Sequence, residues 1–400
     1  MKKANYFKLI FNRLLDQIGN VTYDYANSVW IASMGALGQK FLGIYQISET
    51  IISIIFNPIA GAIADKSKRK KILLTTDAIS AIICILISLI GNNQLLLYGI
   101  IVANIVLAIT YSFSSTAFKS MVSNVIDSEE IVSFNSSVET ILQTLSVISP
   151  VITYYIYNAW GIRIALLING LSFIGSFLAI LTIKENTEQR QVEETKEKVS
   201  IKQTFAELFD DIKAGLKYIN SSGALIELLV LSAFVNYFIS IYNYLLPFSA
   251  SIFGNKEVYS RLLLFGALGS IVGALLSKFV PNTRFNLLVA LGLSGLGIAA
   301  IALPPLMSLP LIIAYAGNFA FMTFLTVYNI HFVSTVQLKV ADEYIGRVFS
   351  TVFTIAILFM PLGTATITLM PAAINSLTYV VVGLAIAIIP FLAIILKRSK

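Results

Sequence analysis

Residues 61–71 read GAIADKSKRKK and lie between two long apolar runs. Asp65 stands just past the first run, and five of the six residues that follow it, Lys66, Lys68, Arg69, Lys70 and Lys71, are cations. A short basic turn between two hydrophobic segments stays on the cytoplasmic side of a membrane. Gly61 carries no Cβ, which predicts a close approach of two helices beside the turn. The stretch thus sets three expectations: spans on both sides, an orientation, and a tight helix contact.

Composition agrees with a membrane setting. Of 400 residues, 57% are hydrophobic and 12% charged, with mean hydropathy +0.82. A soluble chain carries about a quarter charged residues. Apolar runs of about 20 residues recur from end to end, each long enough to cross ~30 Å of hydrocarbon as a helix. The alternating segments of about 10 residues that mark a β-barrel do not occur. The expected class is an all-α membrane protein with twelve transmembrane helices.

Several function classes fall away. The net charge of +7 sits between apolar runs, where it orients the chain, so no nucleic-acid partner is implied. The one cysteine, Cys84, lies in an apolar stretch and reads as packing. The one histidine, His331, has no metal-ligand neighbours in sequence. One histidine and one cysteine argue against metal or Cys-His catalysis, so no metal, cofactor or enzyme activity is expected. The pattern Gly-x-x-x-x-Gly-Lys-Ser/Thr is absent from the sequence, which argues against ATP hydrolysis by this chain. The start, MKKANYFKLIFNRLLDQIGN, is basic without a clean apolar core or small-residue cleavage site. It reads as the retained beginning of the first span.

Six spans are expected at about 11–36, 41–64, 72–90, 95–118, 131–157 and 162–183, and six more at about 223–253, 259–279, 285–303, 309–332, 348–370 and 376–396. Between the sets, 184–202 is charged and poor in apolar residues, as a mobile linker would be. Phe205, Leu208, Phe209, Ile212, Leu216 and Ile219 then recur at helical spacing, with Glu207, Asp210, Asp211 and Lys213 among them. That pattern predicts an amphipathic helix at the membrane surface. The chain divides accordingly into 1–183, 184–221 and 222–400.

Charge fixes the orientation. With the N-terminus inside, only Lys40, Arg163, Lys256 and Arg261 fall outside, leaving 24 of the 28 Lys and Arg on the inner side. Both termini are therefore expected in the cytoplasm of a bacterial cell, with the chain in its cytoplasmic membrane. The halves also echo one another. Gly61-x-x-x-Asp65-Lys66 pairs with Gly273-x-x-x-Ser277-Lys278, and Asp127 before the fifth span pairs with Asp342 before the eleventh. Two related halves place a substrate site near the midplane between them.

The first span is too polar to face lipid. Asp16, Asn20, Asp24 and Asn27 fall within an arc of about 80°. A carboxylate at mid-span costs about 2.5–3.5 kcal/mol, whereas an apolar residue returns about 0.3–0.6 kcal/mol. This face must be buried in the bundle or in a watery cavity. The seventh span carries Asn236, Ser240, Asn243 and Tyr244, the fourth Asn104, Tyr111 and Ser115, and the tenth Tyr315, Asn318, Met322 and Asn329. The second adds Glu49 between Tyr45 and Ser53, and the fifth stacks Asn135, Glu139 and Gln143. A lone Asn or Ser is also ordinary interhelical glue, worth about 0.6 kcal/mol. Buried acids are dearer and read as functional. Asp24 leads as a proton or cation site, followed by Glu139, Glu49 and Asp16. Glu227 points about 180° away from the seventh span's stripe and reads as structural.

The pattern Gly-x-x-x-Asp-(Arg/Lys)-x-x-Arg-Lys at 61–70, the Asp127 region, the stretch from Asp342 to Ser350 and Pro361-Leu362-Gly363 together resemble the major facilitator superfamily, in its macrolide-efflux and enterobactin-exporter branch. The resemblance covers the whole chain. It implies two six-helix pseudo-repeats and secondary active export of a drug-like or other amphipathic small molecule by alternating access. Proton antiport would drive it, with sodium as the alternative coupling ion. It implies a cavity lined by spans one, four, seven and ten, to which Asn20, Asn27, Asn104, Tyr111, Asn236, Ser240, Asn243, Tyr244, Asn318, Met322 and Asn329 would contribute. It also gives Gly61, Asp65 and Arg69 a gating role, joined by Asp77. Lys68, Lys70 and Lys71 read as topology signals. The chain departs from the pattern at Lys68, where glycine is usual, at Ser149-Pro150, a reduced antiporter motif, and in a fourth span without arginine. Gly19-Asn20 stands for the glycine–acid pair, with Asp24 one turn later. A monomer in contact with membrane lipid is expected. A narrow peptide or siderophore exporter, a solute importer and a non-transporting sensor or immunity protein remain open alternatives.

Overall fold

The computed structural model describes residues 2–126, 129–183 and 201–398. Among them the chain is α-helical with short 3-10 turns and no strand. Hydrocarbon offers no hydrogen-bond partner, and a helix closes its backbone bonds within itself. The helices are α1 (Lys2–Ala32), α2 (Gly35–Lys66), α3 (Arg69–Ser88), α4 (Asn93–Val125), α5 (Ile131–Leu181), α6 (Ile201–Asn220), α7 (Gly223–Leu245), the short α8 (Ser249–Phe253), α9 (Val258–Leu276), α10 (Arg284–Ile301), the short α11 (Leu303–Met307), α12 (Ile312–Lys339), α13 (Ile345–Thr368) and α14 (Ser376–Arg398). Helix starts follow local chemistry: Asn92 Oδ1 accepts from Leu95 N at 3.0 Å, and Thr283 Oγ1 accepts from Asn286 N at 3.2 Å, each settling an otherwise unpaired amide.

Nine helices among the described residues are long and apolar enough to cross a membrane, against the twelve spans expected. The difference arises at three places. The 31 residues of α1 are long enough, but their polar arc lowers the hydropathy. The 51 residues of α5 count once, although Gly161 (φ 73°, ψ −174°) interrupts the helix. A positive φ with extended ψ is open to glycine at no steric cost, and Gly161 separates two arms at the junction expected between the fifth and sixth spans. The described apolar part of α14 is short, Ser376–Phe391.

The chain forms two compact units. The first holds 1–31 and 48–208, and the second 32–47 and 209–400. In the first, α3 packs on α4 and α5. At one end Arg163 clamps the α3–α4 turn, donating to Ile90 O at 2.9 Å, Gly91 O at 2.6 Å and Asn93 Oδ1 at 2.9 Å. At the other end Lys8 donates to Thr182 O at 2.8 Å, and Lys70 donates to Leu181 O at 2.9 Å and Ile183 O at 2.6 Å. Cations there satisfy the last carbonyls of α5 and its dipole. Lys70 therefore has a structural task beyond setting topology. Leu9, Leu73, Phe118, Met121, Phe134 and Ile180 fill the interior at that end.

The second unit relies on glycine. α9 packs on α12, α10 on α12 and α14, and α13 on α7. A Cβ at Gly295 would sit 2.5 Å from Gly383 O, so α10 and α14 touch backbone to backbone. Gly269 and Gly273 press equally closely on the Phe319 and Thr323 carbonyls of α12. Lipid tails are as apolar as leucine, so helices associate through such close packing. Gly61 behaves otherwise: a Cβ there would meet nothing within 4 Å. The close contact expected beside the basic turn is absent, because α2 presents Gly61 to open space. Its echo, Gly273, is the one in contact.

α6 is the expected amphipathic helix, and one of its faces rests on protein. Gly215 lies tight against Thr351 and the Arg347 carbonyl. Arg347 Nε donates to Asp211 Oδ1 at 3.1 Å. Ala341 N donates to Tyr218 Oη at 3.1 Å, and Tyr218 stacks on Tyr344 with ring centroids 4.7 Å apart. Ile219 is buried, whereas Phe209 and Leu216 stay exposed. The expected linker residues 184–200 and Asp127 lie outside the described residues.

Gly295→Ala is expected to cost about 1–3 kcal/mol through overpacking, seen as a lower thermal midpoint of the detergent-purified protein. Gly61→Ala is expected to hold or raise the midpoint, since alanine favours the helix by about 1 kcal/mol. An equal fall in both variants would contradict this assignment of close contacts.

Candidate functional site

α1 runs unbroken from Lys2 to Ala32, so Asp16, Asn20, Asp24 and Asn27 do share one face. Gly19 seats this helix on the second arm of α5, where a Cβ would sit 2.5 Å from Asn169 Oδ1 and closer still to Ser172 Oγ. The face meets two different surroundings along its length.

In the last third of the helix, Asp24 lies within electrostatic reach of Glu49 of α2. Both carboxylates are exposed in the first unit and lie near enough for each charge to act on the other. Close by on α1, the Asn27 amide and the Tyr23 hydroxyl are buried one helical turn apart, each facing the other. Exposed carboxylates within apolar helices require water around them, since hydrocarbon would not hold the charge.

Nearer the start of α1 the surroundings close. Asn12 Nδ2 donates to Ser176 Oγ on the second arm of α5. Ser176 Oγ donates to Asp77 Oδ2 of α3 at 2.6 Å, and Asp77 is 4% exposed. Asp16 lies within electrostatic reach of Asp77 and of Arg13. Asp16 Oδ1 and Arg13 Nε are buried without hydrogen-bond partners. The Arg13 guanidinium stacks over the Phe118 ring at 4.5 Å, a cation–π contact that stands in for lost water. Two acids and one arginine thus share an enclosed space.

The remaining expected residues divide plainly. Glu139 is exposed, and Gln143 Nε2 donates to its Oε1 at 2.9 Å. Asn20 is half-buried and Tyr111 exposed, while buried Asn104 donates to Ser48 Oγ at 3.4 Å. Among the gating residues, Arg69 Nη1 donates to Ser120 O at 3.2 Å, tying α3 to α4. The Asp65 side chain lies outside the described residues. The contacts of Asp77 reach α5 and α1.

Several polar groups of the second unit are spent on packing. Asn236 donates to Ser232 O and Ser240 to Tyr237 O, both at 2.8 Å and both within α7. Tyr244 is fully buried and donates to Gln39 O at 2.6 Å. Asn318 Nδ2 donates to Leu262 O at 2.6 Å, and its Oδ1 accepts from Tyr242 Oη at 2.5 Å. These bonds commit Tyr244 and Asn318 to the bundle. Asn243 and Asn329 are exposed and Met322 is half-buried, so these remain open to a ligand. His331 is buried, with Nε2 3.5 Å from Ser277 O, and no group of three His, Cys, Asp or Glu able to hold a metal occurs among the described residues.

Sequence reasoning missed Asn12 and Ser176, which join the inner acids. The signal was present: Asn169, Ser172 and Ser176 fall on one face of their helix at i, i+3 and i+7. It also left Glu227 without a partner. Arg284 holds that carboxylate with Nε at 2.9 and 3.1 Å and Nη2 at 2.6 Å.

Comparison with known proteins agrees with this architecture. The sequence model described as Major Facilitator Superfamily matches residues 23–364. An MFS-type transporter of Bacillus subtilis, YkuC, is 24% identical over 314 residues, covering 74% of this chain and 70% of that protein. Macrolide efflux protein A of Enterococcus faecalis is 21% identical over 320 residues, covering 77% of this chain and 94% of that protein. Among solved structures, the nucleoside transporter NupG superposes with TM-score 0.73 at 12% identity over 99% of this chain and 100% of that one. A D-xylose–proton symporter does so with TM-score 0.71 at 13% identity over 96% of each chain.

Ser176→Ala removes the hydroxyl between Asn12 and Asp77. It is expected to lower stability by about 1–3 kcal/mol, the cost of leaving a buried acceptor unpaired, read as a fall in thermal midpoint. Ser146→Ala, whose hydroxyl only returns to Gln143 O of its own helix at 2.7 Å, is expected to leave the midpoint in place.

Proposed function

The chain belongs to the Major Facilitator Superfamily, and from that premise we propose that it is a secondary active exporter of drug-like or amphipathic small molecules, driven by proton antiport. The observation that carries the proposal is the Asp24–Glu49 pair, two exposed carboxylates on α1 and α2 within reach of each other's charge. Two negative charges at close quarters repel, and a bound proton relieves the repulsion. A cationic or polar substrate group relieves it too. One site that is satisfied by either, and not by both together, exchanges them.

Alternating access completes the cycle. Proton and substrate favour different states of the protein, and each shifts the population toward its own. Glu139 and Asp16 are the further coupling candidates, with sodium as the alternative to the proton. Asn20, Asn27, Asn243, Met322 and Asn329 would line the substrate path, and Asp65 and Arg69 would bias the gate. The export direction and a bulky amphipathic substrate draw support from the similarity to Macrolide efflux protein A. The proposed setting is the bacterial cytoplasmic membrane, with both termini inside, in line with the 24 of 28 Lys and Arg assigned to the inner side. Twelve spans in two sets of six, joined through 184–221, complete the proposed layout.

The test is accumulation of a lipophilic dye and of a macrolide in inside-out vesicles, with and without an imposed proton gradient. Wild type is expected to accumulate substrate only with the gradient. Asp24→Asn and Glu49→Gln are expected to lose about tenfold or more of that uptake, the scale of one lost hydrogen bond to a charged group. Accumulation indifferent to the gradient and to both variants would overturn proton coupling through this pair.

A further inference from the structure

A cavity of about 850 Å³ opens in the second unit, between the start of α7, the start of α10 and the end of α12. Its polar wall holds Glu227, Arg284 and Lys339, and its apolar wall includes Leu228, Leu287 and Leu338. The volume lies in the range of about 300–1,000 Å³ of small-molecule sites.

This cavity is separate from the polar stripes described above. At about 100° per residue, Glu227 and Leu231 of α7, which line the cavity, lie about 120° or more around the helix from Asn236, Ser240 and Asn243. Thr335 and Leu338 of α12 lie likewise about 100° or more from Asn318, Met322 and Asn329. Both helices therefore offer one face to the stripes and another to the cavity. The rim is apolar as well: Leu338 is 80% exposed.

The polar wall is incomplete as an ion pair. Glu227 carries one negative charge, and Arg284 and Lys339 carry two positive ones. Glu227 engages Arg284 through Nε and Nη2. Arg284 has five N–H donors, so both hydrogens of Nη1 remain for another acceptor. Lys339 is exposed at the rim with three donors. The net positive charge, the spare donors and the leucine wall describe one ligand chemistry: a singly charged phosphodiester attached to apolar chains.

We propose that this cavity binds a phospholipid of the inner leaflet, with the phosphodiester between Arg284 and Lys339 and the glycerol and upper acyl carbons against Leu228, Leu287 and Leu338. A water-borne phosphate would gain nothing from the leucine wall or the apolar rim. The proposal rests on the membrane orientation given above and is independent of what the protein transports.

The test uses the full-length protein in detergent, with the thermal midpoint read against added dioleoylphosphatidylglycerol, dioleoylglycerol or sodium phosphate. A ligand that binds the folded state raises the midpoint as its concentration passes the dissociation constant. Wild type is expected to respond to the phospholipid alone. Lys339→Gln, an exposed change, is expected to need about tenfold more lipid for the same shift, the scale of one charge-assisted hydrogen bond. The double variant Glu227→Gln/Arg284→Gln, which leaves no orphan charge, is expected to lose the response. Asp24→Asn, in the other unit, is expected to respond as wild type, so failed export and a failed lipid site read out separately. An equal shift with phosphate or with dioleoylglycerol would overturn the phospholipid assignment. So would a wild-type response in both cavity variants.

Discussion

Hydrocarbon cannot hydrogen-bond, and the rest of this structure follows from that constraint. Each backbone amide and carbonyl in a span must be settled inside its own helix. The described residues accordingly form helices joined by short turns. The places where helices end are the places where side chains step in. Asn92 and Thr283 cap starts, Lys8 and Lys70 cover the last carbonyls of α5, and Arg163 covers the α3–α4 turn. Cations between the spans thus finish the helices.

The same solvent removes the usual drive for helix association, so packing must come from fit. The two units meet that need differently. The second presses backbones together at Gly269, Gly273, Gly295 and Gly383 and pairs its buried amide, Asn318, at both ends. The first unit buries charge. Asp16, Asp77 and Arg13 share an enclosed space, with Ser176 bonding one acid and two polar atoms left unpaired. Buried charge is costly unless paired, so the first unit carries an electrostatic cost that the glycine contacts of the second do not.

Some of this was legible in residues. The arc of Asp16, Asn20, Asp24 and Asn27 follows from helical spacing alone, because i, i+4, i+8 and i+11 fall on one face. The junction near 161 was legible as a break between apolar runs. The partners were not. Whether Asp77 would meet the basic turn or Ser176, and whether Glu227 would find a cation 57 residues away, depends on which helices become neighbours. Tyr244 and Asn318 read as cavity residues by their stripe and turned out to be bonded into the bundle, because a stripe gives a side chain's direction and not its distance from the next helix.

The sequence by itself determined the all-helical membrane class, the polar faces and the charge bias, since these depend on composition and on a fixed rotation per residue. Only the tertiary structure decided which polar groups are spent and which remain. Gly61 was expected in contact and stands free, while Gly273 in the echoing stretch is pressed against α12. Echoing local sequence gave unequal contact because close packing is a property of two surfaces, and a chain states only one of them at a time.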